Sequence, residues 1–494
     1  MKRRQFLQGS VAGAAAALAW PRGVESSPSS VAPSVSSARA ARADAVVVIW
    51  LPGGVAQTDT WDPKQFTPYT TGMKGSDLLG TCESIPTAAD GIRLGKGLES
   101  IASVMDRGTI LRSLTNDVSF GAVHLKAQYF MMTGYLFPVG VKAPSLGAAI
   151  GRTLGRRDPA VPEYIYIGRD IDTSDNEKLF ISEYIGPGFY GVNHGPFMIP
   201  DATQGLATLE AAAGMPRARI DRRQQLFKQI SDLSERELRD SPKAREYLKT
   251  IEDARAMMDS PVKAAFNYRA EETAETIAAY EPKVSGDQLL DPGYDYGRRF
   301  GHGLLLARRL IERGARMIQV EYQYGPFKGF DMHENGGPRM AQMKQQIDGP
   351  IGQFIKDLDE RGLLDRTLVV LATEFGRTIA SQPAAGAEPD GSAETHTGEN
   401  LVIERESMYG FHGHFSSTSC MLFFGGGFRK GFVHGKTADR HPMRAVENPV
   451  RLTDAHATIY QALGIPPDTH YLVEDRPFHV TKDGKGEPVQ ELLA

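Results

Sequence analysis

Acids and imidazoles that could bind a cation recur in this chain just beside short apolar runs. Asp331-Met332-His333-Glu334-Asn335 follows the run at residues 317–320, and Thr373-Glu374-Phe375-Gly376-Arg377 follows the run at 368–372. Asp59 and Asp62 come after the run at 46–51, and His412 and His414 stand shortly before the one at 421–424. Carboxylates mixed with imidazoles suit Zn²⁺, Mn²⁺ or a similar borderline cation, whereas Ca²⁺ takes oxygen ligands alone. Such a cation polarises an ester oxygen and activates water. Each residue also has an ordinary use: Glu374 with Arg377 as a plain ion pair, His412 and His414 in a turn, Asp331 as a helix cap. Several such groups arriving from distant segments carry the ligand expectation, which no single one would.

The elements that must position them are legible from the apolar pattern. Short β-branched runs bounded by glycine mark strands buried on both faces. The first, at 46–51, stops at Pro52-Gly53-Gly54, and others lie at 110–111, 164–167, 317–320, 368–372 and 421–424. Helical spacing at 303–313 ends at Gly314, and at 342–361 it ends at Gly362, both suited to close a helix. Strands alternating with helices predict an α/β fold, a mostly parallel sheet covered on both sides. In such sheets ligands bind in the crevice outside the carboxyl ends of the strands, where Asp59, Asp331, His333 and Glu374 would be delivered. The charged, strand-poor stretch at 206–282, broken by Pro216, Pro242 and Pro261, predicts an inserted helical cap.

Composition narrows the function. With 494 residues, 41% hydrophobic and 23% charged, the chain is neither collagen-like, coiled-coil nor wholly disordered. A net charge of −4 gives no electrostatic case for nucleic acid. Cys82 and Cys420 are too few for a disulfide scaffold or a cysteine zinc site; they form one bridge or stay free. The chain lacks a G-x-S-x-G elbow, an H-E-x-x-H helix and a Walker loop, and its one G-x-G-x-x-G match, Gly186 to Gly191, opens no helical pattern. Lys2-Arg3-Arg4-Gln5-Phe6-Leu7 ahead of a small-residue run resembles a twin-arginine export signal. Residues 1–43 are therefore expected to be signal and linker, cut after Ala41-Arg42-Ala43, with residues 44–494 folding in the periplasm. No later run is long enough for a transmembrane segment.

Taken together, Pro52-Gly53-Gly54, Asp59-Thr60-Trp61-Asp62-Pro63-Lys64, Arg112-Ser113, His124, Thr133-Gly134, Asp331-x-His333-x-Asn335, residues 368–378, Gly425-Gly426-Gly427 and Thr437-Ala438-Asp439 resemble domain-of-unknown-function family 1501. The resemblance runs from about Val46 to the C-terminus. It implies a three-layer α/β/α core like that of the alkaline phosphatase and sulfatase superfamily, with a site for two metals and a phosphate or sulfate ester. Against that pattern Glu374-Phe375 stands where an Asp-His pair is usual, Asp331 matches and Asn335 takes a histidine position, and His414 matches the late histidine. Asp59 or Asp62 stands in for the first-strand acid. His124 occupies the place of the nucleophilic hydroxyl, which makes it an attacking group, a base or a metal ligand. Arg377 would neutralise charge on the ester oxygens. The implied function is metal-dependent periplasmic hydrolysis of a small phosphate or sulfate ester, with Asp331, His333, Glu374, His414 and Asp59 as ligands. The other function is a non-catalytic envelope protein that keeps the fold and binds a partner or glycan.

Overall fold

The computed structural model describes residues 40–115, 123–137, 141–168, 183–208, 242–284, 295–323, 325, 328–333, 335–379, 401–410, 413–473 and 475–494, with isolated positions between 216 and 229. Residues 1–39 of the predicted signal and linker (1–43) and His412 lie outside the described residues. Eleven strands organise the site: β1 Ala45–Trp50, β2 Gly108–Thr115, β3 Tyr164–Ile167, β4 Phe197–Ile199, β5 Met317–Glu321, β6 Thr367–Ala372, β7 Gly376–Arg377, β8 His414–Phe415, β9 Thr418–Phe424, β10 Phe432–His434 and β11 Val450–Arg451. Nine of these form one sheet in the order β10-β2-β9-β6-β1-β5-β3-β4, with β11 also pairing β2. β9 runs antiparallel to both its neighbours, and the other pairings are parallel.

The layering follows from alternation along the strands. In β1, Ala45, Val47 and Ile49 join one buried cluster while Val46, Val48 and Trp50 join another, because successive side chains leave a strand on opposite faces. Helices cover both. On the first face lie Tyr296–Glu312 and Gly336–Glu360; on the second lie His124–Thr133, Leu146–Leu154 and Leu452–Ala462. In chain order these become α1 (His124–Thr133), α2 (Leu146–Leu154), α3 (Pro242–Met258), α4 (Tyr296–Glu312), α5 (Gly336–Glu360) and α6 (Leu452–Ala462). The fold is α/β, with a mostly parallel sheet between helical layers. Gly314 (φ 87) and Gly362 (φ 66) follow α4 and α5 in the left-handed conformation that only glycine adopts without strain.

Among the described residues between 206 and 282 every regular element is helical, and α3 opens on Pro242, whose missing N–H costs nothing at a first helical position. This stretch is packed into the first face. Phe266, Tyr268 and Tyr280 are buried there, Arg309 of α4 binds the carbonyls of Ala264 and Ala265 and the carboxylates of Glu271 and Glu272, and Tyr280 donates to Asp357 of α5 at 2.9 Å. At the other end, the backbone N–H groups of Arg42 and Ala43 both donate to Ala462 O. Cys82 and Cys420 are free and do not pair.

Candidate functional site

Strand polarity sets the site. β1, β5 and β6 are adjacent and parallel, so the segments after them leave the same rim, and antiparallel β9 begins there. Behind β5 come Asp331 and His333, behind β6 Glu374, and ahead of β9 His414. His124 is the first residue of α1. Ligand-capable atoms of His124, Asp331, His333 and His414 all lie within 4.8 Å of one another.

Asp331 is the centre. Its Oδ1 is 3.0 Å from His124 Nε2, 2.9 Å from His333 Nε2 and 3.7 Å from His414 Nε2, and it accepts from Arg377 Nη2 at 2.6 Å. Burial works against its charge, but the neighbouring histidines hold the carboxyl far below the usual carboxylate range. His124 lies between two acids, its Nδ1 2.7 Å from Glu374 Oε1. Burial alone would push the imidazole's pKa down; the charges of Asp331 and Glu374 outweigh that and raise it. Glu374, completely buried, is lowered by His124 and by backbone N–H donors despite its desolvation. The Phe375 ring packs 4.9 Å from His124 and 4.7 Å from His414, so it shields the side where an imidazole was expected.

Three expectations need correction. Glu374 does not join the ligand group: its oxygens take Gly53 N at 2.8 Å, Thr373 Oγ1 at 3.1 Å, Gln128 Nε2 at 3.3 Å and His124. It orients His124 from behind, as carboxylates do for metal-binding histidines. Arg377 is committed within the protein: 1% exposed, it spends its guanidinium on the carbonyls of Gly53, Gly54 and Met332 and on Asp331. Asp59 is absent from the group, because its carboxylate accepts from the backbone and hydroxyl of Thr81 at 3.1 and 2.8 Å. Asp62 is likewise structural, joining Lys64 at 3.2 Å, Arg112 at 3.4 Å and the Thr437 hydroxyl.

A family description, "Protein of unknown function (DUF1501)", matches residues 43–493. The chain belongs to this family. No curated protein sequence matches it. It is similar to the solved structure of alkaline phosphatase PafA, at 9% identity and a TM-score of 0.40, over 92% of this chain and 100% of that one. It is also similar to the lipoteichoic acid synthase LtaP from Listeria monocytogenes (10%, TM-score 0.36, over 90% of this chain and 76% of that one). A third is the phosphonate monoester hydrolase SpPMH from Silicibacter pomeroyi (12%, TM-score 0.35, over 91% of this chain and 76% of that one).

In this DUF1501 chain the donor set can be tested against a cation. Three imidazoles and one carboxylate are the ligands of a borderline divalent ion rather than of Ca²⁺ or Mg²⁺. Four ligands about 2.1 Å from a tetrahedral ion lie about 3.4 Å from one another, so pairs as wide as 4.8 Å would draw in by about 1.4 Å to close on one ion. The residues fit one cation, and Glu374's commitments leave it unavailable for a second. Gln128 was missed from the sequence, although it lies four residues after His124, on the same helical face.

Proposed function

We propose that this chain is a divalent-cation-dependent hydrolase of phosphate or sulfate esters that works outside the cytoplasm. The convergence of His124, Asp331, His333 and His414 around one point carries this proposal. When bound there, Zn²⁺ or Mn²⁺ supplies Lewis-acid polarisation of an ester oxygen. The protein's own part is positional. Glu374 accepts a hydrogen bond from Nδ1–H of His124 and so directs Nε2 toward the shared point. Arg377 ties Asp331 to the Gly53–Gly54 turn, and β7 paired with β8 places His414 opposite Arg377. Both nitrogens of His124 face carboxylates, which supports a ligand role over a nucleophilic one and makes water the attacking group.

The paired arginines at positions 3 and 4 support twin-arginine export. The bonds that Arg42 makes to Ala462, Gly427 and Ala494 favour processing upstream of Arg42 rather than after Ala43. N-terminal sequencing of the exported protein tests this: a mature chain beginning at Asp44 would contradict it.

One observation favours the non-catalytic alternative, namely Phe375 packed where a further imidazole would serve chemistry. The deciding experiment measures metal content, then turnover of p-nitrophenyl phosphate and p-nitrophenyl sulfate, in the wild type and in His333→Ala. About one equivalent of Zn or Mn is expected, with turnover lost on chelation, restored by metal and missing in the variant. Failure to take up any divalent ion defeats the metal centre; bound metal without turnover of either ester replaces the hydrolase by a binding protein.

A further inference from the structure

The ribbon that brings Arg377 and His414 to Asp331 has a second face. In an antiparallel pair, opposed residues share a face and successive ones alternate. Arg377 lies opposite His414, and Gly376 opposite Phe415. Because Arg377 and His414 both reach Asp331, the Phe415 side chain is turned away from it. There it borders a cavity of about 560 Å³, within the roughly 300–1,000 Å³ range of small-molecule sites.

The cavity's walls combine an apolar floor with polar groups that the fold leaves unused. Ile379, Phe415 and Met443 form the floor, each buried. Asp77 and Arg440 line the same space, are exposed, and pair neither with each other nor with any other described residue through their side chains. Opposite charges thus border one cavity without an ion pair between them. His441 supplies a third group. Its Nε2–H donates to Leu78 O at 2.7 Å, and burial lowers the ring's pKa despite that bond, so the neutral ring keeps Nδ1 as an acceptor.

We propose that this cavity binds a small zwitterion with an apolar body, such as an apolar amino acid, with its carboxylate on Arg440, its ammonium at Asp77 and His441, and its side chain on the floor. A zwitterion can meet both charges at once, whereas a simple anion or cation meets only one of them. Arg377, which also borders the cavity, binds Asp331, so the site adjoins the cation centre, but zwitterion binding does not depend on hydrolysis.

The test is calorimetric titration of the full-length protein with L-phenylalanine, 3-phenylpropionate and 2-phenylethylamine, which share one ring and differ only in charge. Phenylalanine should bind about tenfold more tightly than either analogue, a difference of about 1.4 kcal/mol. Arg440→Ala should remove its advantage over the amine, and Asp77→Asn its advantage over the carboxylate. Both positions are exposed, and unchanged thermal melting confirms that each variant folds. Equal binding of the three compounds, no saturable binding of any, or variants that bind phenylalanine like the wild type would each overturn the proposal. Metal content is read in parallel, so failure here is distinguishable from failure of the cation centre.

Discussion

His124 and Glu374 are 250 positions apart in sequence, yet the imidazole Nδ1 and the carboxylate Oε1 lie 2.7 Å from each other in a fully buried contact. The carboxylate stays ionised because His124 and backbone N–H donors overcome its desolvation, so the hydrogen between them belongs to Nδ1. One contact therefore fixes the ring's orientation, and a cation held at Nε2 would depend on a residue outside the four.

Glu374→Gln tests that dependence. The amide keeps the shape but loses the charge, and its NH₂ has to face either Nδ1–H or the Thr373 hydroxyl. Affinity for Zn²⁺ should fall about 10- to 100-fold, measured by competition with a chelating dye, while far-ultraviolet circular dichroism stays unchanged. Unaltered affinity would mean that Glu374 does not orient the ligand.

Arg377 should behave as a clamp. Its planar fork meets three backbone carbonyls and Asp331 at once, a pattern that the single ammonium of lysine cannot reproduce. Arg377→Lys keeps the charge but leaves buried carbonyls without a donor, at a cost of about 1–3 kcal/mol each, seen as a marked fall in melting temperature. A variant that melts like the wild type but turns over poorly would return Arg377 to direct chemistry.

How much of this was legible beforehand differs by type of residue. β3 was predicted at its observed bounds, and β1, β5 and β6 within a residue or two, because a strand buried on both faces has to be continuously apolar. β4, β10 and β11 were missed; at two or three residues each they carry too little pattern. Asp331 and His333 were legible because strand direction decides which rim a following segment leaves, whereas His124 was singled out only by the family resemblance. What could not be read is how each acid is spent. Asp59 and Glu374 look alike in sequence, and only the fold puts Thr81 beside one and His124 beside the other.

Gly53 shows a constraint that acts on the site through backbone alone. It sits at φ +115, and a Cβ there would lie 2.6 Å from Asp331 N and 2.9 Å from Phe330 C. Gly53→Ala should therefore lose about 1–3 kcal/mol to backbone strain and also displace Asp331, lowering metal content together with melting temperature. A variant with normal melting and full metal content would show that the turn accommodates a side chain.

The last prediction concerns pH. His456 in α6 is fully buried and donates Nε2–H to Met131 O of α1 at 2.9 Å. Burial, only partly offset by that bond, pushes its pKa down from 6.5 to about 4. The native state thus holds the ring neutral while the unfolded chain binds a proton below about 6.5. Stability from this residue is full above pH 6.5 and is lost as pH falls toward 4, about 3 kcal/mol in all at roughly 1.4 kcal/mol per unit. His456→Gln keeps an N–H donor for Met131 but cannot be protonated, so it should flatten the decline of melting temperature between pH 7 and 4.5. It should do so without raising stability at pH 7.5, where both side chains are neutral. If the variant and the wild type lose stability in parallel over that window, the acid sensitivity of the α1–α6 contact lies in other groups.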